Sequence, residues 1–157
     1  PFMMEEELHR NFAFTMFHAD QMPLLRFESV ETKEIAPQLW QVTVTVANDR
    51  LIPSRTARAA DKGIGLADTL TLTGAEVVAA GTLDRRTDRT LDPQGFQPAT
   101  LRFERGVPGQ SSVAARFLVK GTAGTAITLA WNAEKAKRIE STMKLGESTL
   151  PAAGAPK

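Results

Sequence analysis

Apolar residues recur at helical spacing near the start of the chain, over residues 8–21. One stripe consists of Leu8, Phe12, Met16 and Ala19. It is widened by Ala13 and Phe17, and Phe14 lies on the far side of the helix. A helix that is apolar most of the way round is normally buried against more than one neighbour. The pattern therefore favours a helix wedged between this domain and another body, and the alternative is a helix packed across its own domain.

Both ends of this helix are marked in the sequence. Glu5, Glu6 and Glu7 lie in its first turn, where carboxylates interact favourably with the helix dipole. Pro23 follows its last turn, and the residue before a proline is biased away from helical geometry.

Beyond Pro23 the hydrophobic period changes from 3.6 to 2, which indicates β-strands. The clearest alternation covers residues 39–47, where Trp40, Val42, Val44 and Val46 share one side. Further strands are predicted at 25–30, 69–73, 76–80, 100–104, 112–120, 125–132 and 138–145. Seven or eight short strands without intervening helices predict a mainly β fold, an immunoglobulin-like antiparallel β-sandwich preceded by one N-terminal α-helix.

Polar and glycine-rich segments separate the predicted strands. We interpret residues 54–66 as an irregular connection, 84–98 as a long loop and 121–124 as a hairpin turn between two strands. The resulting organisation is a linker helix from an upstream domain at 1–23, a β-sandwich domain at 24–145 and a disordered tail at 146–157.

Composition narrows the class of protein. A chain of 157 residues fits one domain with a sizeable core, and its net charge of +1 provides no basic footprint for nucleic acid. Cysteine is absent, which excludes disulfides and thiolate zinc sites. No apolar run approaches the ~20 residues that span a bilayer, and no signal peptide is visible. The chain begins at Pro1 rather than methionine, which fits a fragment of a longer protein.

Residues capable of catalysis or metal binding are few and scattered. The nine-residue gap between His9 and His18 places them on opposite sides of the helix, against a shared zinc site. The run of acidic residues at 84–92 is interleaved with arginines, so we interpret it as a solvated charge run rather than a calcium loop. Trp40 and Trp131 lie on the apolar faces of their strands, which favours core packing over stacking on sugar rings.

Three segments in a particular order carry a family resemblance. They are NFAFTMFHADQMP at 11–23, LWQVTVTVANDRLIPSRTA at 39–57 and ARFLVKGTAGTAITLAWNAEKAK at 115–137. This order resembles the C-terminal region of large bacterial zinc carboxypeptidases of the carboxypeptidase A type. In that family the chain leaves the peptidase domain through such a helix and enters an accessory β-sandwich.

The resemblance implies a role without implying any catalytic residue. The family's zinc site needs a His-x-x-Glu pair, and no glutamate lies three residues after either histidine here. No catalytic or metal residue is therefore carried over, and zinc is expected in the parent's peptidase domain rather than in this chain. The resemblance further implies a parent exported to the periplasm or beyond.

These observations lead to one expected function and two alternatives. The chain is expected to be a non-catalytic accessory domain that supports an upstream peptidase domain of the same protein. The interface, with that domain or with a second copy in a homodimer of the isolated piece, is expected at Leu8, Phe12, Phe14, Met16 and Phe17. The alternatives are a stand-alone cell-surface or periplasmic module that binds carbohydrate or protein, through a sheet face or the 84–98 loop, and a homo-oligomeric structural domain.

Overall fold

A computed structural model describes residues 3–84, 87–94 and 96–147. It contains helix α1 (Met4–Asp20), a second short helix α2 (Ala57–Lys62) and nine strands. The strands are β1 (Leu25–Ala36), β2 (Leu39–Asn48), β3 (Asp68–Thr73), β4 (Glu76–Asp84), β5 (Arg89–Gln94), β6 (Thr100–Phe103), β7 (Ser111–Lys120), β8 (Ala126–Asn132) and β9 (Ile139–Lys144).

The strands form two antiparallel sheets packed face to face. The five-stranded sheet has the order β1-β2-β7-β4-β5, and the four-stranded sheet has the order β6-β3-β8-β9. Alternate side chains of both sheets point inward and exclude water between the layers; Val42, Val44, Phe117, Leu129 and Trp131 are all fully buried. The predicted mainly β fold, a sandwich preceded by one N-terminal helix, is confirmed. The described residues contain nine strands rather than the seven or eight predicted, because β5 was not foreseen.

The predicted long loop at 84–98 is wrong over most of its described residues. Strand β4 continues to Asp84 and strand β5 pairs with it, Leu83 opposite Thr90 and Asp84 opposite Arg89. This strand lies at the edge of its sheet, where a proline such as Pro93 is tolerated. Its stabilisation comes from backbone pairing on one side, so its sequence carries little hydrophobic alternation.

The predicted hairpin at 121–124 is also wrong. Strand β7 pairs with β2 and β4 in one sheet, whereas β8 pairs with β3 and β9 in the other. The intervening segment therefore crosses between the sheets, with the Gly121 amide donating to the Gln38 carbonyl at 2.9 Å and the Gly124 amide donating to the Leu145 carbonyl at 2.8 Å. Small turn residues suit a hairpin and a crossover equally, and the pairing partners decide between them.

The connection between β2 and β3 is not wholly irregular. It contains helix α2, where Thr56 Oγ1 accepts a hydrogen bond from the Ala59 amide at 3.3 Å. Gly63 ends the helix with a φ of 63°, a left-handed conformation that glycine adopts without steric cost.

The described part of the chain ends against the first strand. The Gly146 amide donates to Thr32 Oγ1 at 3.1 Å, and Thr32 Oγ1 donates to the Glu147 carbonyl at 3.0 Å. The remainder of the predicted disordered tail, residues 148–157, lies outside the described residues.

Candidate interaction surface

Helix α1 projects from the sandwich with all its residues exposed, from Met4 through Asp20. The side chains of Leu8, Phe12 and Phe14 are 62–64% exposed, and those of Met16 and Phe17 are 53% and 51% exposed. Monomeric soluble proteins rarely leave so many large apolar side chains together in water. Because no residue of α1 is buried against the sandwich, the alternative in which this helix packs across its own sandwich is wrong.

The apolar residues of α1 occupy two opposite faces. At about 100° per residue, Leu8, Phe12 and Met16 share one face, which we call the Phe12 face. Phe14 lies roughly opposite. Sequence analysis assigned Phe17 to the widened edge of the Phe12 stripe, but it lies nearer to Phe14 around the helix, and the two form the Phe14 face. On this face the Phe14 and His18 rings are 4.2 Å apart between centroids. A single flat partner covers only one such face, so the helix suits a cleft or two separate partners.

The helix is held to the sandwich at its C-terminal end. Asp20 Oδ2 accepts from Arg50 Nη1 at 2.6 Å, and the Gln21 carbonyl accepts from the Ile52 amide at 3.2 Å. Gln21 Oε1 also accepts from the Leu51 amide at 3.4 Å. These contacts join the end of α1 to the segment that follows β2.

Asn48 organises this junction from inside the protein, where it is only 2% exposed. Its Oδ1 accepts from the amides of Leu24 at 3.2 Å and Arg50 at 3.1 Å, and its Nδ2 donates to the Ile52 carbonyl at 2.9 Å. One side chain thus ties the strand β1 entry to the turn after β2. Sequence analysis gave Asn48 no role, and its position just after the alternating strand at 39–47 was the available signal.

Within α1 the stabilising contacts are local and exposed. Arg10 pairs with Glu6 one turn away at 2.5 Å, and Thr15 Oγ1 donates to the Asn11 carbonyl at 2.8 Å. No side chain caps the N-terminus at Met3. Most helices in proteins gain their stability from packing an apolar face, and α1 has no such packing on this sandwich.

A second polar cluster lies deep in the sandwich. The Ser54 hydroxyl donates to Asp68 Oδ2 and accepts from the Val107 amide, the latter at 2.7 Å. Burial raises the pKa of Asp68, an effect opposed by Ser54, by the Trp131 indole and by the charge of Arg55. Because Ser54 and Asp68 are almost completely buried, this pair fixes the β2–β3 connection and offers no access to a substrate.

The outer face of the five-stranded sheet carries a polar recess of about 400 Å³. Arg26 and Asp49 form part of its wall and pair through Arg26 Nε, at 2.8 Å and 3.1 Å from the two carboxylate oxygens. Gln110 and Ser111 line it from the neighbouring strand and loop. Sequence analysis named a sheet face as a possible binding surface but placed no residue there.

The other residues considered for chemistry are dispersed. No group of three potential metal-ligating side chains occurs in the described residues. Asp88 pairs at 2.5 Å with Arg116 of β7, which lies outside the acidic run at 84–92. Both tryptophans are buried as predicted; Trp40 donates to the Gly121 carbonyl at 3.0 Å. Among the helices of the described residues, none has the length and apolar character needed to cross a membrane.

Comparison with known proteins gives a family and no described function. A search of curated proteins found no match. A family described as Domain of unknown function (DUF8731) matches residues 24–144. That range holds all nine strands of the described residues and leaves out helix α1. Since the match covers well over half of the 157 residues, this chain belongs to the DUF8731 family.

Proposed function

We propose that this chain is a non-catalytic accessory domain that attaches to a larger folded body through helix α1. The observation that carries the proposal is the exposure of apolar side chains on two opposite faces of a helix whose C-terminal end is bonded to the sandwich. Exposed apolar surface of this extent is characteristic of a docking site. The buried core of the sandwich contains no residue of the helix.

The body we propose is the peptidase domain of a zinc carboxypeptidase of the carboxypeptidase A type, preceding α1 in the natural protein. The support is the resemblance in segment order, a phenylalanine-rich helix followed directly by a β-sandwich. Under this proposal zinc and the catalytic groups belong to the peptidase domain, and the protein acts in the periplasm or outside the cell.

The Phe14 face is the natural contact with that domain. Phe14 and Phe17 are neighbours across one turn of the helix, and each ring is more than half exposed. Removing side chains of this size from water is worth roughly 1.5–3 kcal/mol each. His18 flanks both rings and supplies a polar group that can hydrogen-bond at the rim of the contact.

Two measurements test this function. The coding sequence upstream of Pro1 should encode His-x-x-Glu and a later histidine at peptidase-domain length. In the protein so defined, Phe14→Ser with Phe17→Ser should lower the unfolding temperature of the peptidase domain. The matched control is Ile64→Ser with Leu66→Ser, which alters two apolar residues away from the helix that are 62% and 75% exposed. Absence of a peptidase domain, or equal stability of both double variants, would refute the proposal.

A second candidate function is a module that binds polysaccharide or protein. It is favoured by Phe96, which is 85% exposed in the segment between β5 and β6, and by the polar recess beside Arg26. An exposed aromatic ring can stack on a sugar ring, and a polar recess can form hydrogen bonds with sugar hydroxyls. Retention on a glycan panel that is lost in Phe96→Ser would support it, and equal retention of both proteins would reject stacking at this position.

A further inference from the structure

We propose that the Phe12 face of α1 is the contact for a second copy of this chain, in an antiparallel helix pair with Phe12 at its twofold axis. Leu8 precedes Phe12 by four residues and Met16 follows it by four. The apolar face is therefore nearly unchanged when the helix direction is reversed about Phe12. Two-fold dimers require a self-complementary patch of this kind, with residue i meeting j and j meeting i.

Exposed apolar side chains also occur just beyond the end of the helix, where an antiparallel partner would reach. An antiparallel partner centred on Phe12 brings the start of its helix, Met3 and Met4, to the base of the first helix. Three apolar side chains are exposed there: Met22 at 46%, Leu24 at 42% and Leu51 at 49%. Leu51 is held at this position by the hydrogen bond from its amide to Gln21 Oε1.

Charge also favours the antiparallel direction. A parallel pair would place Glu5, Glu6 and Glu7 of one copy beside the same residues of the other copy. Carboxylates brought close together repel one another, which would destabilise that pair. The antiparallel pair separates the two acidic ends by about 20 Å, using the rise of 1.5 Å per residue.

The area available matches that of a small stable interface. Seven side chains take part in each copy, between 42% and 63% exposed: Met4, Leu8, Phe12, Met16, Met22, Leu24 and Leu51. Each offers on the order of 100 Å², about half of what a large apolar side chain buries. Their sum approaches the ~800 Å² per partner of standard protein interfaces.

The Phe14 face remains open in this dimer. The inference therefore does not depend on the identity of the body proposed above, and the two contacts can be broken separately. A substitution on the Phe12 face should separate the copies, and a substitution on the Phe14 face should release only the other body.

Single-cysteine crosslinking tests the pair directly, because the natural chain contains no cysteine. Phe12→Cys should form a disulfide-linked dimer under mild oxidation at least tenfold faster than Phe14→Cys, a control with the same side-chain exposure on the opposite face. Leu8→Cys should crosslink with Met16→Cys when the two are mixed but not with itself. Equal rates for Phe12→Cys and Phe14→Cys, or self-crosslinking of Leu8→Cys, would overturn the proposed arrangement.

Sedimentation of the unsubstituted chain provides the second measurement. Its mass should rise with concentration from 17.1 kDa towards twice that value. Phe12→Ser should weaken the dimer at least tenfold, whereas Phe14→Ser should change it less than threefold. A chain that stays monomeric at tens of micromolar, or equal effects of the two substitutions, would contradict the inference.

Discussion

Two regions of this molecule use the same kind of side chain in opposite environments. In the sandwich, the ring of Phe117 is fully buried between the sheets. On α1, the ring of Phe12 is 63% exposed. Burial of such a ring is favourable by roughly 1.5–3 kcal/mol. The sandwich is stabilised by this burial within one chain, whereas the helix is not. This difference is the reason we propose that the interaction surface of the protein lies on the helix.

The two regions also differ in what holds their backbone. Strand β2 has a pairing partner on both sides, and its inward residues lie in a common core. Helix α1 depends on its own hydrogen bonds and on Asp20, Gln21 and the junction around Asn48. Because the apolar faces of α1 are not buried on the sandwich, burial of those faces would have to come from a partner that covers them.

The largest expected effect is the difference in stability between a substitution in the sandwich and one on the helix. Phe117→Ala should lower the free energy of unfolding by about 3–5 kcal/mol, because it opens a cavity in a closed core. Phe12→Ala should change it by no more than about 0.5 kcal/mol at a concentration where the chain is monomeric. Urea denaturation followed by tryptophan fluorescence measures both. Similar losses for the two variants would show that α1 packs on the sandwich after all.

A smaller effect is expected at the junction between the regions. Asn48→Ala should cost about 1–3 kcal/mol, because the partly buried amides of Leu24 and Arg50 lose their acceptor. Hydrogen exchange should also speed up at Ile52, whose amide bonds to Gln21 at the helix base. Thr43→Ala, on the outer side of the same strand, is the control. Unchanged exchange at Ile52 would mean that Asn48 does not organise the junction.

The smallest effect concerns pH and the polar cluster inside the sandwich. Burial raises the folded-state pKa of Asp68 above 3.8, so the folded protein holds this proton more tightly than the unfolded chain. Its contribution to stability is complete below pH 3.8 and is lost as the pH rises through the raised pKa. The stability of the natural protein relative to Asp68→Asn should therefore fall as the pH rises from 3.8 through the raised pKa of Asp68.

Denaturation of both proteins across that pH range measures this difference, since all other titrating groups are common to them. A difference that stays constant, or that grows in favour of the natural protein as the pH rises, would contradict the raised pKa of Asp68. Ser54→Ala provides a companion variant that removes the hydroxyl bonded to the carboxylate.

Patterns confined to one element were readable from the sequence. Alternation along β2 predicted that Trp40 and Val42 would be buried, and helical spacing predicted α1 to within four residues at its start. Strand β5 was missed because an edge strand is stabilised by backbone pairing that its side chains do not record. The central role of Asn48 was missed because its three partners lie in two separate segments, brought together only by the fold.

The sequence by itself determined that an apolar helix precedes a set of alternating strands, since hydrophobic periodicity reports which side of each element avoids water. Only the tertiary structure decided that β7 and β8 belong to different sheets, because the turn residues at 121–124 suit both connections. It also decided that the sandwich closes its core without α1. Periodicity shows that a face must be buried, whereas the geometry of the other elements determines whether this chain can bury it.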